Sequence, residues 1–102
     1  MTKHENTFIV AMEECNELSK ELSKAMRFGL DKTCSEYPDN DTARNILEEY
    51  YQLQAVMELL ISENKVLKEK ENILNSEDIK SHKIKKMMHW LDISVKDGQV
   101  QE

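Results

Sequence analysis

Seven side chains carrying oxygen ligands recur at helical spacing in this sequence, and they are the chain's main chemical resource. Glu13, Glu14, Glu17 and Glu21 fall in "EECNELSKE"; Glu48, Glu49 and Gln52 fall in "EEYYQ". Like charges three or four residues apart on a helix repel by roughly 0.2–0.5 kcal/mol per pair. Acid at this density on a helix that must also pack has three explanations: a solvated face, a surface for a partner, or a bound cation.

Angular position narrows the choice. At about 100° per residue, and with Glu14 set at zero, the apolar face of the first segment centres near 75°. Glu21 then falls at about −20°, Glu17 at about −60° and Glu13 at about −100°. With Glu49 as origin, the second segment has the same layout, with Gln52 at about −60° and Glu48 at about −100°. Both segments therefore carry acid or amide along the same border of an apolar face, and antiparallel packing brings the two borders into one groove. Oxygen clusters of this kind suit hard divalent cations such as Mg²⁺, which take carboxylates, carbonyls and waters. An ordinary charged bundle remains the alternative at this point.

The elements that hold these residues are helices. Two Gly and one Pro in 102 residues leave little punctuation, and no alternating β-branched run occurs. The first helix is expected from about Glu5 to Phe28, with Phe8, Ala11, Cys15, Leu18, Leu22, Ala25 and Met26 on its packing face and Gly29 as its stop. "DKTCSEYPDND", Asp31 to Asp41, reads as a loop. A second helix starts at Asp41 or Thr42 and packs through Ile46, Tyr50, Leu53, Met57, Leu60 and Ile61. Beyond it the polar "SENKVLKEKEN" either continues the helix or breaks near Asn64. Asn75 or Ser76 caps a last helix, with Ile79, Ile84, Met87, Met88, Leu91 and Val95 on one side and an end at Asp97-Gly98. The expected fold is all-α, a bundle of three or four helices per chain. It forms one domain over residues 1–98, with a frayed tail at 99–102. Three wide apolar stripes exceed what so short a chain can cover, so a homodimer or homotetramer is expected.

The motifs in place resemble a known family. "EECNE" followed by "EYYQ" is similar to the EExxE…ExxD signature of the MazG-like all-α nucleoside triphosphate pyrophosphohydrolases. "EECNELSKELSKAMRFG" resembles the opening of small phage and bacterial members, "NILEEYYQLQAVMELL" their second helix and "KIKKMMHWLDISVKDG" their closing basic helix. The resemblance implies Mg²⁺-dependent hydrolysis of nucleoside triphosphates to the monophosphate and pyrophosphate, with Mn²⁺ as a possible substitute. Carried over by position, it makes Glu14, Glu17, Glu49 and Gln52 metal ligands. Glu13 would bind a further metal or help activate the attacking water, and Lys24 and Arg27 would meet substrate phosphates. Gln52 departs from the family's Asp and offers a neutral carbonyl oxygen, with Glu48 placed to compensate. The alternative is a catalytically weakened relative that binds nucleotide or a protein partner as a regulator. A plain helical scaffold is the third reading.

Other features imply less. A net charge of −6 argues against nucleic acid as a partner, and the basic run "KSHKIKK" is short and amphipathic. His82 and His89 stand two turns apart, about 10 Å, too far to share one ion. Trp90, Tyr50 and Tyr51 are read as packing rather than base-stacking groups, and Cys15 as a small buried hydrophobe. With no signal-peptide pattern and no apolar stretch long enough to span a bilayer, the expected location is cytoplasmic, the host's if phage-encoded.

Overall fold

The computed structural model describes residues 1–31 and 41–101; the expected loop, apart from Asp31 and Asp41, and Cys34 within it lie outside them. Four helices occur in the order α1 (Lys3–Phe28), α2 (Thr42–Glu63), α3 (Lys65–Ile73) and α4 (Ser76–Lys96), and no strand occurs among the described residues. No helix among them is long and apolar enough to cross a membrane.

Each boundary has a local cause. α1 starts two residues earlier than expected because Thr2 and Glu5 form a reciprocal capping box. The Glu5 N–H donates to Thr2 Oγ1 at 3.1 Å and the Thr2 N–H to Glu5 Oε2 at 3.3 Å. It stops at Gly29, whose φ of 90° favours glycine and whose N–H donates to the Ala25 carbonyl at 2.9 Å. Asp41 caps α2, accepting the Arg44 N–H at 2.7 Å. The open question at Asn64 resolves as a break. Asn64 leaves helical backbone at φ −116°, ψ 112°, and its Oδ1 accepts the Leu67 N–H at 3.0 Å, starting α3 as α2 ends. Asn75 caps α4 through the Asp78 N–H at 3.1 Å.

The chain divides into two compact units, Met1–Lys68 and Glu69–Glu102. In the first, α1 and α2 pack as an antiparallel hairpin. At one end the Ala43 N–H donates to the Leu30 carbonyl at 2.8 Å. At the other, Thr7 Oγ1 reaches Glu63 Oε2 at 3.3 Å and Asn64 Nδ2 lies 2.6 Å from His4 Nε2. The second unit centres on α4, whose Ile84, Met87, Met88 and Leu91 line a groove of about 450 Å³ edged by Lys83 and Lys86.

The hairpin's seam is not the apolar stripe that periodicity picks out. Along α1 the residues turned inward are Thr7, Ala11, Glu14, Leu18, Glu21 and Ala25; along α2 they are Thr42, Ile46, Glu49, Leu53, Val56 and Leu60. Both follow alternating three- and four-residue steps, the seam pattern of paired helices. Of the expected α1 packing residues, Ala11 is buried and Leu18 and Ala25 are half-buried. Phe8, Cys15, Leu22 and Met26 are exposed, as are Tyr50 and Met57 on α2. Cys15 is therefore not a buried hydrophobe. The physical reason is stripe width: one neighbouring helix covers only one edge of a broad stripe. Each helix has turned by roughly 50–60° toward its polar border, taking the successive residues as about 100° apart.

Candidate metal centre

That rotation draws carboxylates into the seam. Thr7 against Glu63 confirms the antiparallel pairing, and Glu49 of α2 comes nearest Glu14 of α1, with Glu17 and Glu21 on the same helix also felt by it. Glu21 is buried, at 8% exposure, and Glu14 and Glu49 are half-buried. With the carboxyls ionised, Glu14 Oε2, Glu21 Oε2 and Glu49 Oε2 are shielded from solvent and accept no hydrogen bond from the described residues. Leaving a buried polar atom without a partner costs about 1–3 kcal/mol, more for a charged group. Three such atoms contributed by both helices of one hairpin are an unusual concentration of that penalty.

The electrostatics agree. The Glu49 carboxyl is held above the ordinary carboxylate range, first by burial, then by the charge of Glu14 and a proton shared with it, and further by Glu17 and Glu21. Three carboxylates of α1 thus act on one of α2 across the hairpin. Lys24 answers them, with Nζ 3.2 Å from Glu21 Oε1 on its own helix.

As they stand, no three His, Cys, Asp or Glu side chains among the described residues converge tightly enough to ligate one ion. Repelling carboxylates splay when no positive charge lies between them, so closure round an ion is not expected of the bare side chains. Shielded, partnerless oxygens are the better guide to the donor chemistry. An oxygen-only set of carboxylates suits Mg²⁺ or Mn²⁺ rather than a soft metal.

The remaining candidates sit outside this core. Glu13 and Gln52 are exposed, and Glu17 is exposed while still acting on Glu49. Lys24 is half-buried and paired with Glu21. Arg27 lies over the Phe28 ring at 5.2 Å from its centroid. Glu48 is held by Arg44, whose Nε donates to its Oε1 at 2.7 Å. The residue missed as a site member was Glu21. Its signal was available in the step pattern of Thr7, Ala11, Glu14, Leu18, Glu21 and Ala25, a second seam one position behind the apolar one. No protein-family model matches the chain, and no curated protein or solved structure matches it either.

Proposed function

We propose that the α1–α2 hairpin binds a divalent cation and uses it to hydrolyse nucleoside triphosphates to the monophosphate and pyrophosphate, in the manner of the MazG-like family. The observation that carries the reading is the set of three shielded carboxylate oxygens without partners on Glu14, Glu21 and Glu49. Glu14, Glu17 and Glu49 would hold Mg²⁺ or Mn²⁺, with Gln52 adding a carbonyl oxygen and Glu21 completing the negative field. The ion supplies the positive charge that lets an acidic hairpin accept a polyanionic triphosphate. Glu13, exposed one residue before Glu14, is free to take a proton from the attacking water. Lys24 and Arg27 lie on the same helix toward its C-terminal end and would meet the phosphates, Lys24 by exchanging Glu21 for phosphate oxygens. The working unit is a homo-oligomer in the cytoplasm.

A second reading follows from Gln52. Where the family pattern has Asp, an exposed neutral amide lowers the charge available to the ion and favours a weakened relative that binds nucleotide as a regulator. Pyrophosphate release from a mixture of nucleoside triphosphates, titrated with Mg²⁺, separates the readings. Turnover that Glu14→Gln abolishes supports the enzyme. Mg²⁺-dependent nucleotide binding without turnover supports the regulator. Neither binding nor turnover refutes both.

A further inference from the structure

Asn64 engages both its backbone and its side-chain polar groups. Its N–H donates to the Ile61 carbonyl at 3.2 Å and its carbonyl accepts the Lys68 N–H at 2.9 Å, so the backbone closes α2 and opens α3. The side-chain Oδ1 accepts the Leu67 N–H at 3.0 Å, and Nδ2 lies 2.6 Å from His4 Nε2. The first three bonds stay within the joint between α2 and α3. The last reaches the first turn of α1, sixty residues back.

These bonds decide which form of the imidazole fits. A backbone N–H only donates, so the atom that meets it is the amide oxygen of Asn64. The amide nitrogen is thereby turned to His4, and an amide N–H₂ also only donates. His4 Nε2 must therefore accept, with the ring neutral and its hydrogen on Nδ1. The Phe8 ring stands edge-on to the imidazole, with centroids 5.6 Å apart. His4, Asn64 and Leu67 are all half-buried.

Protonation turns Nε2 into a donor, and two donors then face each other. Asn64 cannot answer by turning its amide round without setting its N–H₂ against the Leu67 N–H. An acceptor for the charged ring stands one residue earlier. Glu63 Oε2 is 3.3 Å from Thr7 Oγ1, and Thr7 lies three residues from His4, one turn along the same face of α1. The other charged groups on the segments that meet here are the Met1 amino group, Lys3 and Glu5 at the start of α1, and Lys65 and Lys68 on α3. Four of these are cations, and Glu5 is held in the Thr2 cap. Glu63 is the carboxylate placed to take an imidazolium.

We infer that His4 and Asn64 form a proton-operated latch on the α2–α3 joint: neutral His4 holds Asn64 to α1, and protonated His4 releases it and turns to Glu63. Histidine is the side chain that takes its charge between about pH 5 and pH 8, so the latch is closed at the upper end of that range and open at the lower. Once released, Asn64 is bonded only to residues within four positions of itself. The joint then loses its side-chain tie to α1 at the point where the chain leaves the first compact unit. The latch involves none of the seam carboxylates and does not depend on the cation.

NMR of the full chain, labelled with ¹⁵N and ¹³C and free of metal, tests it. At about pH 8 the His4 ring should be protonated at Nδ1 and bare at Nε2. From about pH 8 to about pH 5 the Asn64 side-chain amide and the Glu63 carboxyl carbon should shift with the midpoint of the His4 ring. His4→Gln offers Asn64 an amide oxygen at every pH, so in that variant the Asn64 amide should hold still. His82 and His89 on α4 remain in the variant, which separates their titration from that of His4. A hydrogen on Nε2 at the upper pH overturns the inference. So does an Asn64 amide that ignores the His4 titration, or one that still shifts in His4→Gln. A Glu63 carboxyl carbon that does not follow the ring overturns the exchange, and the latch with it. The ring's tautomer and the wild-type titration decide the matter even if the variant does not fold.

Discussion

Replacing Glu49 with Gln should stabilise the metal-free protein, although it removes a residue from the proposed site. The substitution keeps the shape of the side chain and deletes its charge, relieving repulsion with Glu14, Glu17 and Glu21. It also supplies an amide N–H₂ beside carboxylate oxygens on Glu14 and Glu21 that have no partner. One new hydrogen bond contributes about 0.5–1.5 kcal/mol net. For a domain of this size about 1 kcal/mol moves the midpoint by roughly 4–8 °C, so the variant should melt several degrees above the wild type in EDTA.

Cation reverses the order. An ion that binds only the folded protein stabilises it by roughly 2.7 kcal/mol at a hundredfold excess over its dissociation constant. The wild type gains that increment, whereas Glu49→Gln loses most of it with the missing charge. Thermal melts of both proteins, with and without millimolar Mg²⁺ or Mn²⁺, should therefore cross. Refutation takes either of two forms. A variant that melts below the wild type in EDTA means the Glu49 carboxylate already has a stabilising partner. A wild-type melt indifferent to divalent ions means the seam holds no site.

The pH dependence has a defined sign. Because the folded-state pKa of Glu49 is raised above its ordinary 4.5, the folded protein binds more protons there than the unfolded chain, so stability falls as pH rises from about 4.5 through the raised value. The difference in melting temperature between Glu49→Gln and wild type, followed over that range without metal, should grow with pH; the Mg²⁺ increment of the wild type should also grow, since the ion needs the ionised carboxylate. Asn64→Ala should lose about 1–2 kcal/mol by removing the Leu67 cap and the contact with His4, read as a lower melting temperature with reduced helicity. Gln52→Asp should tighten Mg²⁺ binding by isothermal titration, and Gln52→Ala should weaken it; unchanged affinity in both places Gln52 outside the site.

The helices and their ends were legible because caps act locally. Gly29, Asp41 and Asn75 each fix a boundary through their own backbone angle or one hydrogen bond to a residue three or four positions away. Asn64 was ambiguous for a related reason: an Asn in a polar run can sit inside a helix or interrupt it. The interruption is consistent with two bonds, one local to Leu67 and one to His4, sixty residues away and invisible to periodicity. Which face packs was not legible. Periodicity locates the centre of apolarity on a helix. It does not say whether a neighbour meets that centre or its edge, and here α1 and α2 meet at the edge.

The same edge contact connects the acids to the apolar face. Had α1 and α2 packed through the centres of their stripes, Phe8, Leu22 and Tyr50 would fill the seam, and Glu14, Glu21 and Glu49 would stand clear of it with water around every oxygen. Packing at the edge places the carboxylates between the helices and turns the large apolar side chains outward. Each half of that arrangement is unfavourable in a lone, metal-free chain: one leaves shielded carboxylate oxygens without partners, the other leaves apolar surface in water. The proposed cation in the seam would relieve the first by charge, and the proposed homo-oligomer would relieve the second by area. The two should therefore combine additively in stability, since the stripes lie on different sides of the helices. Melts of a double variant, Met12→Glu with Tyr50→Glu, which puts charge among the exposed apolar side chains, measure this directly when taken with and without Mg²⁺ wherever the variant still folds. An Mg²⁺ increment similar to that of the wild type is the expected result. Loss of the increment with the oligomer would mean the seam is shaped by the partner, and that the carboxylates are brought together by assembly rather than by the hairpin alone.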